Sequence, residues 1–195
     1  MRINARMIGA GVAAAVAAGV GYILLSRPDE EAAFSTVTRD GDFSVRDYPG
    51  LLVAEVVVPG LRQAALSVGF NRLAEFVFGR ERAGKRLPVP VFADGDEDGR
   101  GWRTRFLLPA NAAIEALGKP EAGVCLRTLP ARRIAALRFA GRDSEDALDA
   151  YEAELRAWIG ANGLSPAGPV EHAFYNSPLT PGPLRRTEVL IPLAA

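Results

Sequence analysis

The chain of 195 residues carries 23 basic and 23 acidic side chains, a formal net charge of +0. That balance excludes the basic surplus by which most nucleic-acid-binding domains engage phosphates, so no nucleic-acid partner is expected. One cysteine, Cys125, excludes an internal disulfide, and the length beyond about residue 34 suffices for a single well-buried core.

Met7 to Leu25 has no charged side chain and is flanked by Arg2, Arg6 and Arg27. Nineteen residues of helix at 1.5 Å each span about 28 Å, close to the hydrocarbon thickness of a bilayer. No small-x-small cleavage site follows Tyr22 to Leu25, so the run reads as an uncleaved transmembrane anchor rather than a signal peptide. The expected organisation is an anchor over 1–27, a polar linker over 28–33 and one domain over 34–195. The domain is expected on the periplasmic or extracytoplasmic side of the cell membrane, and as a monomer.

In the domain, Phe43 to Tyr48 alternates as a strand does, and Pro49 and Gly50 are expected to turn it back into Leu51 to Val58 as a hairpin. Leu61 to Phe78 places Leu66, Phe70, Leu73, Ala74 and Val77 at helical spacing, predicting a helix with one face on the sheet. Pro88 to Phe92 reads as a short strand best placed at a sheet edge because of its prolines. The acidic stretch from Asp94 to Asp98 reads as a solvated turn before a strand over Trp102 to Leu108. Asn111 to Pro120 then reads as an alanine-rich crossover.

The scheme now recurs. Leu126 to Gly141 repeats Val45 to Gly60 at a constant offset of 81 positions, which places Arg46 on Arg127, Pro49 on Pro130, Ala54 on Ala135 and Gly60 on Gly141. A second hairpin is expected around Pro130. A second helix follows, capped by Asp143 or Ser144 and striped by Leu148, Tyr151, Leu155, Trp158 and Ile159. Strands over Val170 to Tyr175 and Thr187 to Leu193 end the chain, and RTEVLIP at 186–192 echoes RTRFLLP at 103–109. The repeat is too long for a solenoid period and fits two halves of one domain. The fold expected is α+β: a curved, mostly antiparallel, barrel-like sheet with two helices. It would be built from pseudo-two-fold ββαββ units over about 43–109 and 124–193.

The segment HAFYNSPLTPGPLRRTEVLIPL resembles the closing signature of the SOUL haem-binding protein family, a Tyr-Asn-x-Pro turn, a proline-rich loop and Arg-Arg-Asn-Glu-Val. Here these are Tyr175, Asn176 and Pro178, then Arg185, Arg186, Thr187, Glu188 and Val189, with threonine in place of asparagine. FSVRDYPGLLVAEV, GFNRLAEFVFG, WRTRFLLP and LPARRIAALRFAG resemble other segments of the family in the same order. RLPVPV at 86–91 departs from the family's Lys-Ile-x-Met-Thr-x-Pro-Val. The resemblance implies two helices on a curved sheet with pseudo-two-fold symmetry. It also implies non-covalent haem, or another flat apolar tetrapyrrole, as ligand. Its relatives include GyrI-like effector-binding domains, which hold small molecules between their halves, and hydrolases that use a glutamate and a tyrosine in a central cleft.

For haem, the candidate residues are Arg72, Phe76 and Arg80, which follow one another at helical spacing, and His172, the chain's one histidine. The same residues read more plainly as a solvated helix face, a core phenylalanine and a structural histidine. Cys125 lacks an evident electropositive neighbourhood and reads as a small core residue. Tyr175 and Glu188 are the candidates for a ligand or hydrolase cleft; paired with an arginine such as Arg103 or Arg186, Glu188 would be structural instead. No Ser-His-Asp grouping, metal-ligand spacing or phosphate loop is present. The function these features predict is a membrane-anchored carrier or buffer for a tetrapyrrole, with no catalytic residue; the alternative is a small-molecule sensor or a hydrolase using Glu188.

Overall fold

The computed structural model describes residues 34–78, 91–95, 101–108, 120, 122–141, 143–176 and 181–194. The Met7–Leu25 run, the 28–33 linker, Arg80, the prolines at 88 and 90 and the 111–119 crossover lie outside them. Among the described residues no helix is long and apolar enough to cross a membrane.

Among the described residues nine strands form one curled antiparallel sheet, a half-barrel, with two 17-residue helices on one of its faces. In chain order they are β1 (Ser35–Asp40), β2 (Phe43–Tyr48), β3 (Leu51–Pro59), α1 (Arg62–Phe78), β4 (Val91–Gly95), β5 (Gly101–Leu107), β6 (Val124–Leu129), β7 (Arg132–Ala140), α2 (Glu145–Ala161), β8 (Glu171–Phe174) and β9 (Arg186–Pro192). Across the sheet the order is β1-β2-β7-β9-β8-β4-β5-β3-β6. Exchange each strand for its repeat counterpart (β2 for β6, β3 for β7, β4 for β8, β5 for β9) and the last eight read the same from either end. The halves meet where β4 pairs with β8.

This order overturns both expected hairpins. β2 pairs with β1 and β7, and β3 pairs with β5 and β6, so each half lends its first strand to the other half's sheet. The chemistry of the links explains it. A two-residue hairpin wants positive φ at its first central position, whereas Pro49 and Pro130 hold φ near −65°. Neither Gly50 nor Ala131 has positive φ, so the links bend the chain across instead of folding it back. Gly60 and Gly141, the repeat's shared end, do have positive φ, 114° and 127°.

Register also refines the repeat. Val56 pairs with Thr104, and its counterpart Leu137 pairs with Val189, which places β9 two residues further along than the likeness of RTRFLLP to RTEVLIP suggests. The same ladders pair Ala93 with His172 where the halves join.

Strand β4 is central rather than at an edge, and its Asp94 is buried inside the strand, not exposed in a turn. One edge is β1, an element absent from the sequence reading although Gly41 and Asp42, the loop between paired Asp40 and Phe43, form a Gly-Asp hairpin signal. It is pinned by the Trp158 indole, which donates to Asp40 and stacks on Phe43.

Helix α2 packs as its stripe predicts: Leu148, Leu155 and Ile159 are fully buried on β7 and β9, each worth about 1.5–3 kcal/mol. Helix α1 is rotated from expectation. Ala65, Gly69, Leu73, Phe76 and Val77 face β3 and β5, while Leu66 is only half-buried and Phe70 stays 38% exposed. A Cβ on Gly69 would lie 2.6 Å from the Thr104 hydroxyl, so its absence lets the helix approach this closely. The bulkier Leu66 and Phe70 are thereby turned toward the gap between the helices.

Candidate functional site

Helix α1 covers β3 and β5, and α2 covers β7 and β9, which leaves the junction pair β4–β8 between them. An open cleft of about 1490 Å³ lies there, larger than the roughly 300–1,000 Å³ usual for small-molecule sites. Leu66 and Phe70 of α1 form one apolar wall, with Val91 and Phe174 from the sheet. The far wall is the acidic start of α2, Asp143, Glu145 and Asp146, and Arg185 and Arg186 stand nearby. Arg185 donates to Asp143 across 3.1 Å.

Arg62, the first residue of α1, is the unusual member. Cations are disfavoured at a helix N-terminus, yet this guanidinium is buried there and has no carboxylate within ion-pair distance among the described residues. It rests over the Trp102 ring, 5.3 Å from the centroid. Burial lowers its pKa, and Glu145, Asp149 and Asp143 oppose that only from a distance.

Two further polar groups on the helix-bearing face of the sheet lack partners among the described residues. Thr104, Ala93 and His172 lie side by side on three adjacent strands, all on the helix-bearing face. The Thr104 hydroxyl and both ring nitrogens of His172 are buried and lack hydrogen bonds among the described residues. Burial, with Arg62 adding repulsion, pushes the His172 pKa down to about 4, so the ring is neutral near pH 7.

The opposite face of the sheet is the reverse. Glu188 is fully enclosed; it accepts from Arg46 at 2.7 and 3.2 Å, from Arg186 at 2.8 Å and from the Tyr175 hydroxyl at 2.8 Å. Burial alone would raise its pKa, but Arg46 and Arg186 hold it below the usual carboxylate range. The Tyr175 phenol is pushed well up by burial and by Glu188. In the other half, Asp94 accepts from Arg103 and Arg105 at 2.9 Å each, and Arg105 also donates to Glu55 at 2.8 Å. Arg132 donates to Glu171 at 2.8 Å, which closes a run of paired charges across the sheet.

The candidates from the sequence thus fall in different places. Tyr175 and Glu188 meet, but in a filled interior rather than a ligand cleft, and the arginines on Glu188 are Arg46 and Arg186, not Arg103. Phe76 is 9% exposed and belongs to the core, because it follows Leu73 by three residues and shares its face. Arg72 is exposed, and neither it nor Phe76 lines the cleft. His172 does not line the cleft; it is buried beside the lining residue Ala93, on the neighbouring strand. Sequence reasoning missed Arg62 and Thr104; a basic residue opening a helix whose first turn has no acid was the available signal.

Among curated proteins none matches the chain by sequence. Solved structures share its fold. One is a hydrolase from Listeria innocua, with a TM-score of 0.55 at 14% identity over 81% of this chain and 94% of that one. The EcmrR C-terminal domain gives 0.57 at 15% identity, over 78% and 96%. SAV2435 bound to tetraphenylphosphonium gives 0.50 at 14%, over 78% and 94%. The family model for SOUL heme-binding protein matches residues 29–192, nearly all of the chain that follows the apolar run. This chain belongs to the SOUL heme-binding protein family.

Proposed function

We propose that the chain is a reversible carrier or buffer for haem or a similar tetrapyrrole, held in the cleft between α1 and α2. The observation that carries this reading is the cleft itself: open, apolar on the α1 side and provided with the unpaired cation Arg62. The residues suit the group. Leu66, Phe70, Val91 and Phe174 offer apolar contact to a flat ring, and Arg62 and Arg185 offer charge to its propionates. His172, buried beside the lining residue Ala93 with two unpartnered ring nitrogens, adds a polar group next to the cations. Bound haem would supply an iron centre and intense absorption; the protein supplies the apolar walls, the cations and exclusion of water. Adding haemin to the full chain in detergent should give a saturable Soret shift, and a flat titration overturns the reading.

The Met7–Leu25 run stands before the family match and is proposed as a single-pass anchor, with the domain outside the cytoplasm. Release of the chain from membranes by an alkaline carbonate wash would contradict the anchor.

A second reading rests on the acidic wall of Asp143, Glu145 and Asp146, which suits an apolar cation. SAV2435, of like fold, is a structure with tetraphenylphosphonium bound. Saturable quenching of Trp102 by that cation would favour an effector-binding role. A hydrolase role for Glu188 has less support, because both its oxygens are already occupied by arginines and Tyr175.

A further inference from the structure

Three buried polar groups that the fold leaves unused lie in or directly beside the cleft. Arg62 and Thr104 line it, Arg62 as a buried cation with no ion-pair partner among the described residues, and His172 lies on the far side of the lining residue Ala93 from Thr104. Each is more than nine-tenths buried: Arg62 is 8% exposed, Thr104 0% and His172 4%. Adjacent strands lie about 4.8 Å apart, so the Thr104 and His172 backbones are only about 10 Å apart, with one methyl group between them. A buried polar group without a partner is costly, and Thr104 and His172 are two such groups near the Arg62 cation. Arg62 calls for an anion, and a neutral imidazole and a hydroxyl can each donate to its oxygens.

We propose that Arg62, Thr104 and His172 form an acid-head subsite: the ligand enters carboxylate first, and its apolar body stays between Leu66, Phe70, Val91 and Phe174. This rests on the cleft being the tetrapyrrole site, and adds the orientation and the requirement for a free carboxylate. It also couples binding to a proton. The charged groups facing His172 are Arg62 from α1 and, acting through Arg62, Asp143, Glu145 and Asp149 from α2; its strand neighbours Ala93 and Val189 carry none. An entering carboxylate cancels the repulsion from Arg62 and attracts a proton to the ring, so the acid binds more tightly as pH falls.

The test uses metal-free protoporphyrin IX and its dimethyl ester with the full chain, so that iron coordination plays no part. Wild type should prefer the acid at least about tenfold, as expected for a charge-assisted contact. Its affinity should rise as pH falls from neutrality toward about 4, the His172 pKa without ligand, by no more than tenfold per unit for one proton. Arg62→Gln should remove most of the preference for the acid, Thr104→Val part of it, and His172→Gln the pH slope. Equal binding of acid and ester overturns the subsite and leaves the tetrapyrrole reading standing, whereas binding of neither overturns both. A preference for the acid that survives Arg62→Gln assigns it to another cation and also overturns the subsite. The ester comparison needs no variant, so a misfolded His172→Gln would not remove the test.

Discussion

The two faces of this sheet treat charge in opposite ways. Opposite the helices, Glu188, Asp94, Glu55 and Glu171 each meet an arginine, and the half-barrel is filled. Between the helices, Arg62, His172 and Thr104 are also buried, and among the described residues His172 and Thr104 have no hydrogen bond and Arg62 no ion pair. Burial depth therefore does not separate structure from function here; satisfaction does. The paired face holds the halves together, as Arg46 of the first half clamps Glu188 of the second, 142 positions away. The unpaired face offers its free polar groups to the proposed ligand.

The sharpest way to break this comparison is to remove one charge from each kind of environment. Glu188→Ala strands Arg46 and Arg186 in the interior and should cost about 3–5 kcal/mol, read as a large fall in denaturation midpoint. Arg62→Gln removes a cation with no partner to strand, and should cost less than about 1 kcal/mol while weakening ligand binding. Equal losses would mean that Arg62 is structural after all.

Acid should separate the faces next. His172 is neutral in the fold, with its pKa lowered from 6.5 to about 4, so the unfolded chain binds more protons and stability is lost as pH falls from about 6.5 to about 4. Asp94 is shifted the other way. Burial and Glu171 outweigh Arg105 and Arg103 and raise its pKa from 3.8 to about 6, so the folded chain binds more protons and stability is lost as pH rises from about 3.8 to about 6. Each slope is worth about 3 kcal/mol over its window and the two oppose, so wild type should be nearly flat between about pH 4 and 6. Asp94→Asn should unmask a fall in stability toward acid, and His172→Gln a rise. Melting curves across that range, with both variants sloping as wild type does, would refute the assignment.

Much of this fold was legible because periodic apolar spacing and backbone punctuation are local. The two helices, the strands around residues 45, 55, 105, 135 and 190, and the repeat with its Gly60 and Gly141 ends could all be read directly. Pairing was not local. Pro49 and Pro130 look like hairpin turns until one asks which φ a hairpin needs, and the strand exchange follows only from the answer. Asp94 stood in an acidic run and gave no sign that Arg103 and Arg105 would meet it across a ladder. The candidate site was legible only at His172 and in part at Arg185 and Arg186, through the closing signature. Arg62 and Thr104 acquire meaning from what they lack, and a missing partner is visible only in three dimensions.

A smaller effect should come from the contact that shapes the cleft. Gly69→Ala puts a methyl group 2.6 Å from the Thr104 hydroxyl and 3.1 Å from its Cβ, so α1 must lift or Thr104 must turn. Overpacking of this kind costs about 1–3 kcal/mol. Because the lifted end of α1 carries Leu66 and Phe70, haemin affinity should fall with stability. A variant that keeps wild-type affinity despite a lowered melting temperature would place the ligand away from α1.

The smallest expected effect distinguishes the faces most finely. Thr104→Val exchanges a buried hydroxyl without a partner for a methyl group of similar size, and should leave stability unchanged or raise it by up to about 1 kcal/mol. Removing a paired hydroxyl would do the opposite: Tyr175→Phe leaves Glu188 one donor short and should cost about 1–2 kcal/mol. Both substitutions delete one oxygen atom from a residue at the sheet, so size and propensity account for little of the difference. A thermal denaturation series on the two variants should therefore give shifts of opposite sign or, at the least, a loss confined to Tyr175→Phe. If Thr104→Val costs as much as Tyr175→Phe, the hydroxyl under Gly69 is already bonded, and the floor of the cleft is as satisfied as the filled interior behind it.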